Sequence, residues 1–104
     1  MDLEQKRLSL HQFLCRFVGD SNCYYSPPTG LEMNYPCICY DLANPDVKHA
    51  DNIPYFVDLQ WIVTVIDEDP DSPIASLFFN MPKCRFDRKF ESNDLNHFVF
   101  SLYF

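Results

Sequence analysis

The chain has 104 residues, 47% of them hydrophobic and 16% aromatic, with ten Phe, six Tyr and one Trp. One domain fits that length and a second does not, and the aromatic mass excludes a disordered or low-complexity chain. Fifteen acidic residues against eight basic ones leave a net charge of −7, and only two glycines are present; such a surface repels phosphate backbones, and a Gly-rich phosphate loop is excluded by count.

Asp2 is placed to cap a helix whose apolar positions are Leu3, Leu10, Phe13, Leu14 and Phe17, with Arg7 in the gap, and which ends at Gly19. Cys23 to Ser26 reads as a short strand, closed by the turn Pro27-Pro28-Thr29-Gly30. Pro36 to Tyr40 is a second strand, with Pro36 tolerated at its first position. From Leu42 to Pro54 the sequence turns polar, which predicts a loop of thirteen residues. That is near the upper end of what compact domains use.

Tyr55 to Asp67 reads as the longest strand. Tyr55, Val57, Leu59, Trp61, Val63 and Val65 point to the core, and the mixed set from Phe56 to Ile66 faces the other way. Asp67 to Pro73 stops the strand and starts a second helix, capped by Asp71 or Ser72. Ile74, Leu77, Phe78 and Met81 form its buried stripe before Pro82. In the last segment Cys84, Phe86, Arg88 and Phe90 alternate with Arg85, Asp87, Lys89 and Glu91, so one face is entirely charged. Ser92-Asn93-Asp94 makes a turn into a strand with Phe98, Phe100, Leu102 and Phe104 on one side. The order predicts an α+β domain: a mostly antiparallel sheet of about five strands with two helices packed on it.

The mixed-charge start, Met1 to Arg7, is no signal sequence, and no stretch has the length and apolarity of a membrane span. The expected compartment is a reducing cytoplasm. The five cysteines, Cys15, Cys23, Cys37, Cys39 and Cys84, are an odd number, and they read better as small buried hydrophobes than as a disulfide framework. A zinc site from Cys23, Cys37, Cys39 and Cys84, with His97, lacks the usual Cys-x2–4-Cys spacing. Asp67, Asp69 and Asp71 imitate the start of a calcium loop, but Ser72 and Phe78 stand where that loop needs Gly and Glu. His11, His49 and His97 come with no nucleophile signature, so no catalytic, cofactor-binding or metal-binding residue is assigned and the chain reads as a non-enzyme. Two segments are candidate interfaces: the polar loop, through Asn44, Asp46, Lys48, His49 and Asp51, and the charged strand, through Arg85, Asp87, Arg88, Lys89 and Glu91. The aromatic excess favours an interface over a bare solvated face.

Three stretches taken together carry a family resemblance: Tyr35-Pro36-Cys37-Ile38-Cys39-Tyr40, the run from Val63 to Ser72, and Phe86-Asp87-Arg88-Lys89-Phe90 followed by Asn93 to His97. The set resembles the small tail terminator or tail completion proteins of long-tailed bacteriophages, over nearly the whole chain. The resemblance implies a structural virion protein. It would form a homo-oligomeric ring, a hexamer in such proteins, on the finished tail tube, stop its polymerisation and offer a surface to the head connector. DNA would pass through an acidic lumen without being bound, and no cofactor or membrane would be involved. Assembly would take place in the host cytoplasm. A head-side neck protein (adaptor or stopper) is the alternative, and a small enzyme or metal-binding regulator a third. Cysteine richness is not part of the family pattern.

Overall fold

Helical periodicity near the N-terminus becomes α1, Leu3–Val18. The computed structural model describes residues 3–28, 30–44, 49–50, 53–54 and 59–104. Leu10, Leu14 and Cys15 are buried, with Phe13 and Phe17 packed beside them. Leu3 is exposed, which corrects the predicted stripe. Arg7 breaks the apolar row, lying over the Tyr25 ring at 4.8 Å, so the buried stripe begins only at Leu10. The predicted Asp2 cap lies outside the described residues. Gly19, at φ +87°, takes a backbone that other residues rarely adopt and turns the chain into a 3-10 turn at Asp20–Asn22.

Among the described residues seven strands follow: β1 Cys23–Tyr25, β2 Cys37–Asn44, β3 His49–Ala50, β4 Ile53–Pro54, β5 Gln60–Asp67, β6 Cys84–Ser92 and β7 Leu95–Tyr103. Five of them make one sheet in the order β1-β2-β5-β7-β6, with β1 parallel to β2 and the other pairs antiparallel. The architecture is α+β, as the patterning predicts. The thirteen-residue loop is corrected. β2 continues through Leu42, Ala43 and Asn44, pairing Asn44 with Gln60 after a bulge, and β3 and β4 form a separate two-stranded ladder. Alternation at Tyr40-Asp41-Leu42 keeps the strand going, because Leu42 can still reach the core edge.

The strand predicted from Tyr55 is seen from Gln60, and residues 55–58 lie outside the described ones. Trp61, Val63 and Val65 are buried in one cluster with Leu10, Leu14, Ala75, Phe78 and Phe100. Both helices therefore cover the same face of the sheet. Ile62, on the other face, is exposed.

The turn after β5 is built from its own carboxylates. Asp67 Oδ1 accepts from the Asp69 N–H at 3.0 Å, and Asp69 Oδ1 from the Asp71 N–H at 2.9 Å. Asn96, buried on β7, donates to the carbonyls of Asp67 and Glu68 and pins the turn to the sheet. Helix α2, Pro73–Phe79, then starts at Ser72, whose side chain accepts from Ala75 N–H at 3.2 Å, with Pro73 in the first turn. Its buried positions are Ala75 and Phe78, while Leu77 is 54% exposed. A helix of seven residues presents one short i, i+3 row to the sheet, so Leu77 turns outward and the predicted stripe through it is corrected.

Ser72→Ala should cost about 1 kcal/mol by orphaning an N-terminal amide. Thermal unfolding should show a melting point lower by roughly 4–8 °C, and Ser72→Thr should recover most of it. An unchanged melting point in Ser72→Ala would show that the cap contributes nothing.

Candidate assembly surface

Strand β6 is the edge of the five-stranded sheet, and among the described residues nothing pairs along its outer side. It joins β7 through Asn93 and Asp94, whose φ values of +53° and +62° make the two-residue turn that suits a twisted hairpin, one residue tighter than predicted. Beyond Cys84 every residue of the strand is exposed.

The single charged face predicted for this strand does not exist. A register shift between Phe86 and Arg88 makes Asp87 an extra residue: Phe86 pairs with Phe100, but Arg88 pairs with Val99. A bulge of this kind reverses the facing of everything after it. Arg85 and Asp87 share the open face with Arg88 and Phe90, whereas Lys89 and Glu91 turn to the helix side with Phe86. Contacts agree with this. On the open face Ser101 Oγ donates to Asp87 Oδ2 at 2.6 Å, Arg85 pairs with Asp87 at 3.5 Å, and Phe90 stacks on His97 with ring centres 4.6 Å apart. On the helix side Lys89 lies over the Phe98 ring at 5.6 Å.

Helix-side residues of β6 meet α2 in an exposed aromatic patch. Phe79 is 52% and Phe86 40% exposed; their ring centres are 4.9 Å apart, and both rings touch Phe100. Lys89, on the same face of β6, adds a cation on the helix side, while Leu77, two positions from Phe79, is exposed on another side of α2. Lys83, Arg85, Arg88 and Lys89 are half of the chain's eight Lys and Arg. With Asp87 they give residues 83–89 a charge of +3, so the other 97 residues carry −10. The densest acidic segment is the turn after β5, where Glu68, Asp69 and Asp71 are exposed.

The bulge and the cations on β6 are devices that discourage another strand from adding to a free edge. Contact at this edge would therefore run through side chains rather than through the backbone ladder. Two copies of β6 related by a two-fold axis would set cations against cations.

The other interface segment is seen only in part. Asn44 ends β2 opposite Gln60, and His49 pairs with Pro54 in the small ladder. Asp46, Lys48 and Asp51 lie outside the described residues.

The histidines sit on three separate elements: His11 on α1, His49 on β3 and His97 on β7. None of the five cysteines is in a disulfide. The tetrad Cys23, Cys37, Cys39 and Cys84 does not converge. Cys23 faces the helices, Cys37 and Cys39 lie on the opposite face of β2, and Cys84 is on the far edge strand. A different trio does converge: the ligand atoms of His11, Cys15 and Cys23 all lie within 4.8 Å of one another. Its sequence signal is a His and a Cys one helical turn apart, His11-x3-Cys15, a spacing that puts both on one helix face.

Cys37 and Cys39 share one face, as two-residue spacing in a strand requires. A side-chain hydrogen bond from the Cys37 thiol holds the Cys39 thiol below its ordinary range, while the same bond and burial push Cys37 far up. Cys39 is half-buried beside Met33 Sδ at 3.6 Å, and Cys37 is buried. Limited alkylation of the native protein should therefore label Cys39 before Cys37 by a wide margin. Peptide mapping that finds Cys37 modified first would contradict this geometry.

No helix among the described residues is long and apolar enough to cross a membrane. Comparison with protein families, with curated proteins and with solved structures finds no match.

Proposed function

We propose that the chain is a structural subunit that associates head to tail into a ring. As the family resemblance implies, that ring caps a phage tail tube, ends its polymerisation and receives the head connector. The observation that carries this reading is the α2–β6 edge. An exposed apolar centre of Phe79 and Phe86, on an edge whose residues 83–89 carry four cations, has the anatomy of an interface core with charged surroundings. Its charge is opposite to that of the rest of the chain. A surface that repels its own copy across a two-fold axis but attracts the acidic turn of another copy favours a heterologous contact, and heterologous contacts close into rings when the rotation permits. The −10 outside the edge leaves a lumen that DNA can traverse without being held.

The test is the mass of the native chain by analytical ultracentrifugation at low ionic strength and again near about 1 M salt, where screening acts over about 3 Å. Closed oligomers that dissociate in high salt are expected. A monomer under both conditions would overturn the assembly reading. Electron microscopy of tails carrying the tagged subunit should place it at the upper end of the tube; density on the head side would remove the tail-capping role.

A further inference from the structure

We propose that His11, Cys15 and Cys23 form a zinc site that fastens α1 to the edge strand β1. Zinc bonds of about 2.3 Å to sulfur and 2.0–2.1 Å to nitrogen put tetrahedral ligand atoms about 3.5–3.8 Å apart. Cys23 Sγ lies 3.9 Å from His11 Nδ1, and all three ligand atoms fall within 4.8 Å. Shifts of about 1 Å or less, within reach of side-chain rotation, bring them to bonding geometry.

The ligand set is drawn from two elements that need joining. His11 and Cys15 project from one face of α1, four residues apart, and Cys23 comes from β1, a strand of three residues that among the described residues pairs only with β2. Both cysteines are buried. Two thiolates and an imidazole are the donors that zinc prefers. Their two negative charges cancel the ion's charge, leaving a neutral centre in a place where an uncompensated charge would be costly. The Tyr40 hydroxyl, 2.6 Å from His11 Nδ1, holds the nitrogen that a metal would take, and its ring packs at a tilt 5.6 Å from the imidazole. Tyr40 is itself fixed between Tyr25 and Trp61. Zinc on Nδ1 would displace that hydroxyl from the nitrogen and free it to donate a hydrogen bond to a thiolate or to a bound water.

The proposal does not depend on assembly. It can be tested on the reduced, chelator-treated full chain with cobalt(II) and zinc alone. Cobalt should bind at one equivalent with a thiolate-to-metal charge-transfer band and the intense visible bands of tetrahedral geometry, and zinc should bleach both. Zinc at about 100 times its Kd should raise the melting point by roughly 10–20 °C. Cys15→Ser and Cys23→Ser should abolish the charge-transfer band. His11→Ala, at a half-buried position, should weaken binding by at least ~100-fold while Trp61 fluorescence reports an intact fold. The double variant Cys37→Ser/Cys39→Ser and the single Cys84→Ser should bind as the native chain does. Two results would overturn the site. One is the absence of a thiolate band in the native chain. The other is a band that survives Cys23→Ser or His11→Ala undiminished but is lost in the Cys37→Ser/Cys39→Ser variant. Should a buried cysteine variant fail to fold, His11→Ala and the Cys37/Cys39 control still decide the question.

Discussion

Trp61→Ala is expected to destabilise the fold by about 3–5 kcal/mol, the range for removing a large aromatic from a packed core. Trp61 is completely buried at the centre of β5. Its ring meets Tyr40 edge-on at 6.2 Å, and its indole N–H donates to the Phe104 carbonyl at 3.4 Å, tying the end of the chain to the core. Alanine would leave a cavity between the sheet and α1, and would remove one of the two hydrogen bonds the Phe104 carbonyl accepts, the other coming from the Leu59 N–H. Domains of this size hold about 5–15 kcal/mol in all, so much of the reserve would go. Urea unfolding should show a lower midpoint with an unchanged slope. Trp61→Phe should lose less, because it keeps most of the volume and loses mainly the hydrogen bond. If the alanine variant unfolds at the native midpoint, Trp61 is not the core residue described here.

The second large effect is expected on assembly. Arg88→Glu/Lys89→Glu reverses charge on both faces of β6, because the bulge sends these neighbours to opposite sides. Both residues are exposed, so the fold should persist with a melting point within a few degrees of native. Association at low salt should weaken by at least ~100-fold, since like charges brought together at an interface cost several kcal/mol. A charge-matched control, Lys6→Glu/Arg16→Glu on α1, should assemble almost normally. The sharper arm restores complementarity: adding Glu68→Lys/Asp71→Lys to the β6 reversal should recover oligomers if the edge meets the acidic turn of the next copy. Equal loss in the control would make net charge alone the cause. Undiminished assembly of the β6 variant would take the interface away from this edge.

Periodicity and turn chemistry, all local, were enough to determine the α+β class, the helix ending at Gly19, the capped start of α2, the apolar face of β5 through Trp61, and the closing hairpin. Each is set by residues a few positions apart, where steric preference and hydrophobic spacing act directly. Three things needed the tertiary structure. Strand β6 reads in sequence as a strict alternation, yet whether it carries a bulge depends on how Phe86 and Arg88 register against Phe100 and Val99 on β7, and that split the charged face in two. Leu77 has the spacing of a core residue, but α2 is too short to bury more than Ala75 and Phe78. The convergence of His11, Cys15 and Cys23 depends on β1 lying beneath α1, a contact between elements that no spacing within either one encodes. Local sequence sets what each segment becomes; which side chains meet is decided when the segments pack, because burial is a property of pairs of elements rather than of either alone.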